Sequence, residues 1–386
     1  MKAFDARNRS AARFLLSLLS SLPPHRAQAE DRLDFRYEQY QEERGRIEIG
    51  TTAARLEKSL TASLTLKGAL LYDSISGATP TGGPPLPGSN QVPMQEIRDI
   101  RRAGTVELAQ RWGPHTVAPQ FAYGIENDYE SYGLGLRHSI DFNNKNTTLT
   151  LGVSHNFDRL LPANSFLYDV EDKDTTDGMI GVTQLLSPTT ILTVNLILSY
   201  AAGYLADPYK GVRFDSFPDV EGVYLFPESR PHHKNRQMGY VEVLQSIKRL
   251  NASVEAAYRI HRDSFGIWAH TGSLGWNQNI SQHLIVQPSL RIYDQTAAPF
   301  YTVRVPAQLG DPQIPLEGFP EFYSADYRVS SFRTWTYGLK ATMKLHEHFW
   351  LEAAYKRYEM SGHDNLTFAS AYPKANVLTL GIVIWF

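Results

Sequence analysis

The chain of 386 residues is nearly balanced in charge, with 38 Lys and Arg against 40 Asp and Glu. It contains no cysteine, which excludes disulfides, thiolate metal sites, iron–sulfur clusters and covalently attached c-type haem within it. Hydrophobic residues make up 42% of the composition, yet no apolar run approaches the ~18 residues of a transmembrane helix.

Residues 1–29 have the features of a secretory signal peptide. A basic segment precedes an apolar segment over residues 14–22, and Ala27-Gln28-Ala29 provides a small-residue cleavage site. The alternative is an amphipathic helix of a soluble protein. Cleavage would leave residues 30–386 with 33 basic against 39 acidic residues, a balance that argues against a nucleic-acid partner.

Residues 30–386 predict one strand after another, without the 3.6-residue period of a helix. Short connections, such as 143–146, 187–189 and 346–348, alternate with connections that are often long and rich in Gly, Pro and charge. The long ones cover 76–97, 159–175, 205–235, 295–327 and 361–373. Short turns at one rim and long loops at the other are typical of bacterial outer-membrane barrels.

The predicted strands cover residues 32–42, 46–56, 60–75, 98–112, 116–127, 130–142, 147–158, 176–186, 190–204, 236–247, 251–263, 265–278, 284–294, 328–345, 349–360 and 374–386. We therefore predict an all-β fold, a single transmembrane antiparallel β-barrel of about sixteen strands, with a range of about 14–18. The turns would be periplasmic and the long loops extracellular.

Several predicted strands alternate between an apolar and a polar face. In 190–204, for example, Leu196 and Leu198 share one face, and Asn195 shares the other with Thr193. A Lys or Arg facing lipid at the midplane costs about 2–4 kcal/mol, so the charged faces should point into the barrel.

The last segment, Val377 to Phe386, alternates in the same way and stops on an aromatic ring. Closing strands of outer-membrane barrels end on such a Phe, which the barrel-assembly machinery reads, so Phe386 is a candidate assembly signal. The alternative is a buried edge strand of a soluble sandwich. We expect this strand to close the barrel against residues 32–42.

Several segments are similar to an uncharacterised, porin-like family of bacterial outer-membrane β-barrel proteins, classed as a domain of unknown function. They are Ser76–Gly82, Asp99–Gly104, Lys145–Leu149, Gln184–Thr190, Asp207–Val212 and Ala354–Met360. The resemblance covers nearly all of residues 30–386. It implies an outer-membrane location and, by association with neighbouring genes, a periplasmic partner that handles redox chemistry or metals. It carries over no catalytic residue.

Charges of both signs are expected on the inner face of the barrel. The candidate pore-lining residues are Asp99, Arg101, Glu107, Arg111, Glu255, Arg259, Glu352 and Lys356. They favour a porin-like channel for passive diffusion of small hydrophilic solutes, without a selectivity for either sign. The alternative is a salt-bridged, non-conducting barrel that acts as a scaffold or docking protein for the periplasmic partner. Outer-membrane lipids and lipopolysaccharide should surround the barrel, and its oligomeric state does not follow from the sequence.

Asp172, Asp174 and Asp177 lie near Gly178 in a predicted loop and form a weak candidate site for calcium. A solvated acidic loop is the alternative. His346 and His348 could share a transition metal, but no third ligand is near. No H-x-S, G-x-S-x-G or phosphate-binding motif occurs, so neither an enzyme nor a cofactor is expected.

Overall fold

The computed structural model describes residues 31–163, 165–214, 224–305 and 320–386. The predicted signal peptide lies outside these residues. Strands in chain order are β1 Arg32–Glu42, β2 Glu48–Ser59, β3 Leu64–Pro80, β4 Met94–Trp112, β5 His115–Ile125, β6 Tyr129–Phe142, β7 Thr147–Leu160, β8 Glu171–Ser187, β9 Thr190–Gly203, β10 Gly211–Phe214, β11 Tyr224–Pro227, β12 His233–Ile247, β13 Ala252–Asp263, β14 Trp268–Asn279, β15 Leu284–Gln295, β16 Arg304–Val305, β17 Phe332–His346, β18 Phe349–Gly362 and β19 Lys374–Trp385. Short 3₁₀ turns cover Asn143–Lys145, Lys248–Leu250, Tyr327–Val329 and Ala369–Ala371. Over these ranges, no helix is long and apolar enough to cross a membrane.

All strands except β10, β11 and β16 form one closed antiparallel barrel of sixteen strands. If β10, β11 and β16 are left out, strands that pair in the barrel follow one another in sequence. The barrel is closed by the pairing of β1 with β19, from Arg32↔Trp385 to Glu42↔Ala375. The predicted class, strand number and closing pair are confirmed.

The outer face of the barrel is apolar. Leu134, Val153, Leu196 and Leu339 are each about half exposed, between 47% and 56%, and each has a glycine or a polar residue beside it on the other face. Exposed side chains of this kind would be unfavourable in water but are the surface that a lipid core requires. The alternation of the strands therefore places the polar residues inside.

The two rims differ in their connections. One rim has only short turns, over 60–63, 113–114, 143–146, 188–189, 248–251, 280–283 and 347–348. The other has five long connections, over 81–93, 161–170, 204–232, 296–331 and 363–373, and three short ones, over 43–47, 126–128 and 264–267. The long connections mark the extracellular rim.

The strands β10, β11 and β16 form a small separate sheet at the extracellular rim. Val212, Phe214, Val305 and Ala325 are buried in its core, and Tyr323 packs against them with Phe226. We refer to residues 204–214, 224–232, 296–305 and 320–331 as the cap. The long loops predicted from Gly and Pro content thus include a folded element with its own apolar core.

Replacing Phe386 by alanine should lower the fraction of folded, heat-modifiable barrel, because this residue holds the seam between the first and last strands. Its ring lies 5.2 Å from the ammonium of Lys58, which pairs with Asp31 just before β1. The backbone hydrogen bond from residue 386 to the Asp31 carbonyl, 2.9 Å, remains in the variant, so the substitution tests the ring alone. Gel mobility with and without heating measures the folded fraction. Ile280→Ala, in an exposed turn at the same rim, is the control. An unchanged folded fraction in Phe386→Ala would contradict a role of the ring in closure.

Candidate functional site: the barrel interior and its cap

A cavity of about 430 Å³ lies against the inner wall formed by β13, β14, β15, β17 and β18. Its floor is a row of five residues that are directly opposite one another on these adjacent strands: Glu255, Gly275, Ser289, Gly338 and Lys356. The three middle residues are small, so the wall recedes between an acid at one end and a base at the other. We refer to this part of the wall, on β13, β14, β15, β17 and β18, as the hollow.

More charges surround this floor. The Glu352 carboxylate accepts from Lys340 Nζ at 2.6 Å and lies 3.5 Å from Arg36 Nη2. Arg291 lines the same cavity from β15, two residues beyond Ser289. Three of the predicted pore-lining residues, Glu255, Glu352 and Lys356, are therefore brought together here.

Four other predicted residues lie on a second part of the wall, on β4. Glu107 accepts from Arg137 Nη2 at 2.6 Å, and Arg111 Nη2 donates to Asp141 at 3.4 Å. Arg101 Nε lies 3.6 Å from the Glu126 carboxylate. This wall consists of acid–base pairs, unlike the hollow on β13–β18.

Asp99, the fourth, lies beside Glu126 and Asp128 with carboxylate oxygens within 4.8 Å of one another. Burial raises the pKa of Glu126, which lies in the turn between β5 and β6. Asp99 Oδ1 accepts the Asn127 backbone N–H at 3.0 Å, so the loop backbone holds the carboxylate here. Arg259, the eighth predicted residue, lies on β13 and makes no ion pair within the described residues.

The cap is held together by buried charges. Asp326 is 1% exposed and accepts from Arg230 Nη2 at 2.8 Å and from Arg328 Nη2 at 2.6 Å. Arg328 also pairs with Asp207, and Arg230 Nε lies 2.8 Å from Glu228. This cluster joins the connection between β9 and β12 to the connection between β15 and β17.

Burial alone would raise the pKa of Asp326, but the Arg328 and Arg230 guanidinium groups hold it below the usual range. A folded-state pKa below the unfolded value adds stability above the unfolded pKa. That stability is lost as the pH falls through the folded-state pKa. The Asp326 pairs should therefore stay intact at neutral and mildly acidic pH.

The cap is also anchored to distant parts of the wall. The buried Lys210 Nζ donates to Thr79 Oγ1 on β3 at 2.9 Å, and Tyr209 donates to Asp128. Five barrel strands separate β9, which leads into the cap, from β3. The contacts therefore run across the mouth and not only along its rim.

Gly82 allows one of these contacts. Its φ is +93°, and a Cβ added there would lie 2.2 Å from the Gly211 carbonyl oxygen, closer than any side chain tolerates. The Gly211 N–H also donates to the Thr81 carbonyl at 2.8 Å. The loop after β3 is thus shaped to receive the first cap strand.

A second cavity, of about 740 Å³, lies where the cap meets the wall. Asp207 and Arg328 of the cap line it together with His261 and Gln295 of β13 and β15. The cap therefore forms part of the boundary of the interior space.

The predicted calcium ligands do not converge. Residues 171–187 form strand β8 and not a loop, so Asp172 and Asp174 lie on one face and Asp177 on the other. Asp174 lies 3.7 Å from His155, and Asp172 lies 3.9 Å from Arg159. His346 and His348 have ring centroids 5.5 Å apart, and His348 lies near the Glu347 carboxylate.

The sequence analysis did not predict the buried ion pairs of the cap, because Asp207, Arg230 and Asp326 lie in segments that were predicted to be exposed loops. It also missed the row of small residues, which lie on separate strands. A short alternation of apolar and polar residues at Val212, Arg213 and Phe214 was a signal for a strand within the loop.

A closed sixteen-stranded barrel with an apolar outer face and a charged interior defines a bacterial outer-membrane β-barrel protein. The protein is located in the outer membrane, surrounded by its lipids and lipopolysaccharide. More particularly, the chain belongs to the family described as "Protein of unknown function (DUF3570)", whose model matches residues 7–377. The predicted resemblance and location are confirmed.

The chain is similar to CdiB and, with lower scores, to other solved structures. CdiB from Acinetobacter baumannii has a TM-score of 0.51 at 8% identity, over 94% of this chain and 61% of that one. A bacterial polysaccharide outer membrane secretin has a TM-score of 0.49 at 9% identity, over 92% of this chain and 98% of that one. The siderophore receptor PirA from Pseudomonas aeruginosa has 0.46 at 11% identity, over 92% and 62%, so the chain spans less than two thirds of that receptor. No curated relative matches the sequence.

Proposed function

We propose that this protein is a channel for passive diffusion of small hydrophilic solutes across the outer membrane. The observation that supports it is the polar inner wall, with a cavity of about 430 Å³ between charges of opposite sign. A barrel that conducts no solute could pack its interior with apolar side chains. Charged groups lining open space instead keep water and polar solutes in the interior.

The residues proposed to line the path are Asp99, Arg101, Glu107, Arg111, Glu255, Arg259, Glu352 and Lys356. Those on β4 are mostly paired with neighbours, and Glu255 and Lys356 flank the hollow on the other wall. Opposed charges of this kind orient dipolar solutes and give no strong preference for anions or cations.

One observation favours a second function. The cap crosses the extracellular mouth through buried ion pairs, as a permanently closed barrel would require. Such a barrel would serve as a scaffold for a periplasmic redox or metal-handling partner. Because the chain has no cysteine, the partner would carry any thiol chemistry.

Conductance of the purified protein in planar bilayers separates the two functions. We expect ion-conducting steps, and a larger conductance when residues 82–92 are replaced by a two-residue turn, because this removes the part of the loop after β3 that lines a cavity together with the cap. Leu86→Ser, at an exposed position of the same loop, is the matched control and should behave like the unmodified protein. A folded, heat-modifiable barrel that stays closed across salts, with this loop shortened as well, would exclude the channel.

A further inference from the structure

The hollow on β13–β18 has a particular order of charges. Along its floor an acid, Glu255, is followed by Gly275, Ser289 and Gly338 and then by a base, Lys356. Adjacent strands are about 4.8 Å apart, so the two ends are four strand spacings, or about 19 Å, apart at the backbone. Both side chains line the cavity that lies between these two ends.

A second base lies between these two ends. Arg291 is on β15, two strand spacings from Glu255 and two residues beyond Ser289 on the same face of the strand. The residues directly opposite it on the neighbouring strands, Ser273 and Thr336, are small or polar. Its guanidinium can thus reach the same space as Lys356. A negative group placed here would meet two cations, and a positive group near Glu255 would meet an anion.

Among the residues that the structure describes, these three charged side chains have no ion-pair partner. Within the described residues, Glu255, Arg291 and Lys356 form no ion pair, whereas Glu352 nearby is held by Lys340 and Arg36. Unpaired charges facing a wet cavity keep their hydration and remain free to bind a ligand. The contrast with the paired charges on β4 marks this wall as the part of the interior that can bind a solute.

The lining favours one class of solute over others. A simple anion would also meet Glu255, and a simple cation would meet Arg291 and Lys356. None of the described residues that line this cavity is aromatic, so a sugar ring would find no stacking surface. Polar groups of Ser289 and Gln287 are available to hydrogen-bond an amide between two charged ends.

We propose that this hollow is a binding site for a small zwitterion of the size of a dipeptide. The ammonium lies at Glu255, the carboxylate between Arg291 and Lys356, and the amide over Ser289. The proposal rests on the proposed function, because it names the solute class of that channel. The site concentrates the solute at one wall and lets it leave again, since each contact is single and exposed to water.

The test compares glycylglycine with its neutral analogue N-acetylglycinamide on the detergent-purified full chain. Saturation-transfer NMR measures binding, and bilayer current measures block by each compound. We expect glycylglycine to bind and to block the current, and the neutral analogue to do neither at equal concentration. Glu255→Gln or Arg291→Gln should weaken glycylglycine binding roughly tenfold, as expected for loss of one charge-assisted hydrogen bond.

Lys67→Gln and Glu57→Gln are the matched controls, since this exposed pair, 3.2 Å apart, lies on β2 and β3, away from the hollow. They should leave binding unchanged, and heat-modifiability confirms that every variant is folded. Equal binding of the two compounds, or an equal loss in the controls, would overturn the zwitterion site and leave the channel standing if current is observed. Selective binding in a protein without current would support the site and overturn the channel.

Discussion

Replacing Asp326 by asparagine should release the cap and raise the conductance of the barrel. The substitution removes the charge that neutralises Arg230 and Arg328 in a position only 1% exposed. Removing one partner of a buried ion pair costs up to about 3–5 kcal/mol, and here Glu228 and Asp207 still compensate part of the two guanidinium charges. The cap has a small apolar core, so a loss of this size should populate an open form.

Two measurements follow the opening. Single-channel recordings should show longer or larger open states, and amide hydrogen exchange should speed up within residues 204–214 and 320–331. Asp294→Asn is the matched control, because Asp294 also pairs with an arginine, Arg333, at 2.8 Å but is 36% exposed. Exposed pairs contribute at most about 1 kcal/mol. A folded Asp326→Asn protein with unchanged current and unchanged exchange would show that the cap does not govern access.

Replacing Leu196 by arginine should prevent most of the protein from folding into the membrane, whereas Asn195→Arg should be tolerated. The two residues are adjacent near the middle of β9, and Leu196 is 47% exposed on the apolar outer face. An arginine facing lipid near the midplane costs about 2–4 kcal/mol, which lowers the folding equilibrium constant roughly thirtyfold or more. At position 195 the same side chain would point into the wet interior.

Folded yield of the two variants in lipid vesicles, measured by heat-modifiable gel mobility, checks this expectation. Because the same residue type is introduced one position apart, general effects of arginine on expression cancel. Equal yields would contradict the assignment of the two faces of β9.

The barrel could be predicted from the sequence because its signal is local. Each strand carries its own two-residue alternation, as with Leu196 against Asn195, and each chain reversal carries its own turn residues. The length of the strands was harder to predict. Above the lipid, β8 continues through Asp172 and Asp174, where a strand surrounded by water no longer needs an apolar face.

The cap and the hollow depend on contacts between distant segments, and no local pattern encodes these contacts. β10 has four residues and β16 has two, too few for a period to be detected, and their pairing joins Arg213 to Arg304. The row from Glu255 to Lys356 depends on the register of five strands, which small changes in turn length would shift. Charges can be placed on the inner face from sequence, but their order around the wall comes only from this register.

The parallel pairing of β10 with β16 sets an order of assembly. β10 leaves the wall after β9, whereas β16 becomes available only after β15 has been placed, so the cap sheet cannot form before much of the barrel is built. Bringing such distant segments together costs loop-closure entropy that the finished barrel has already reduced. We therefore expect the cap to fold late, on a wall that is already built.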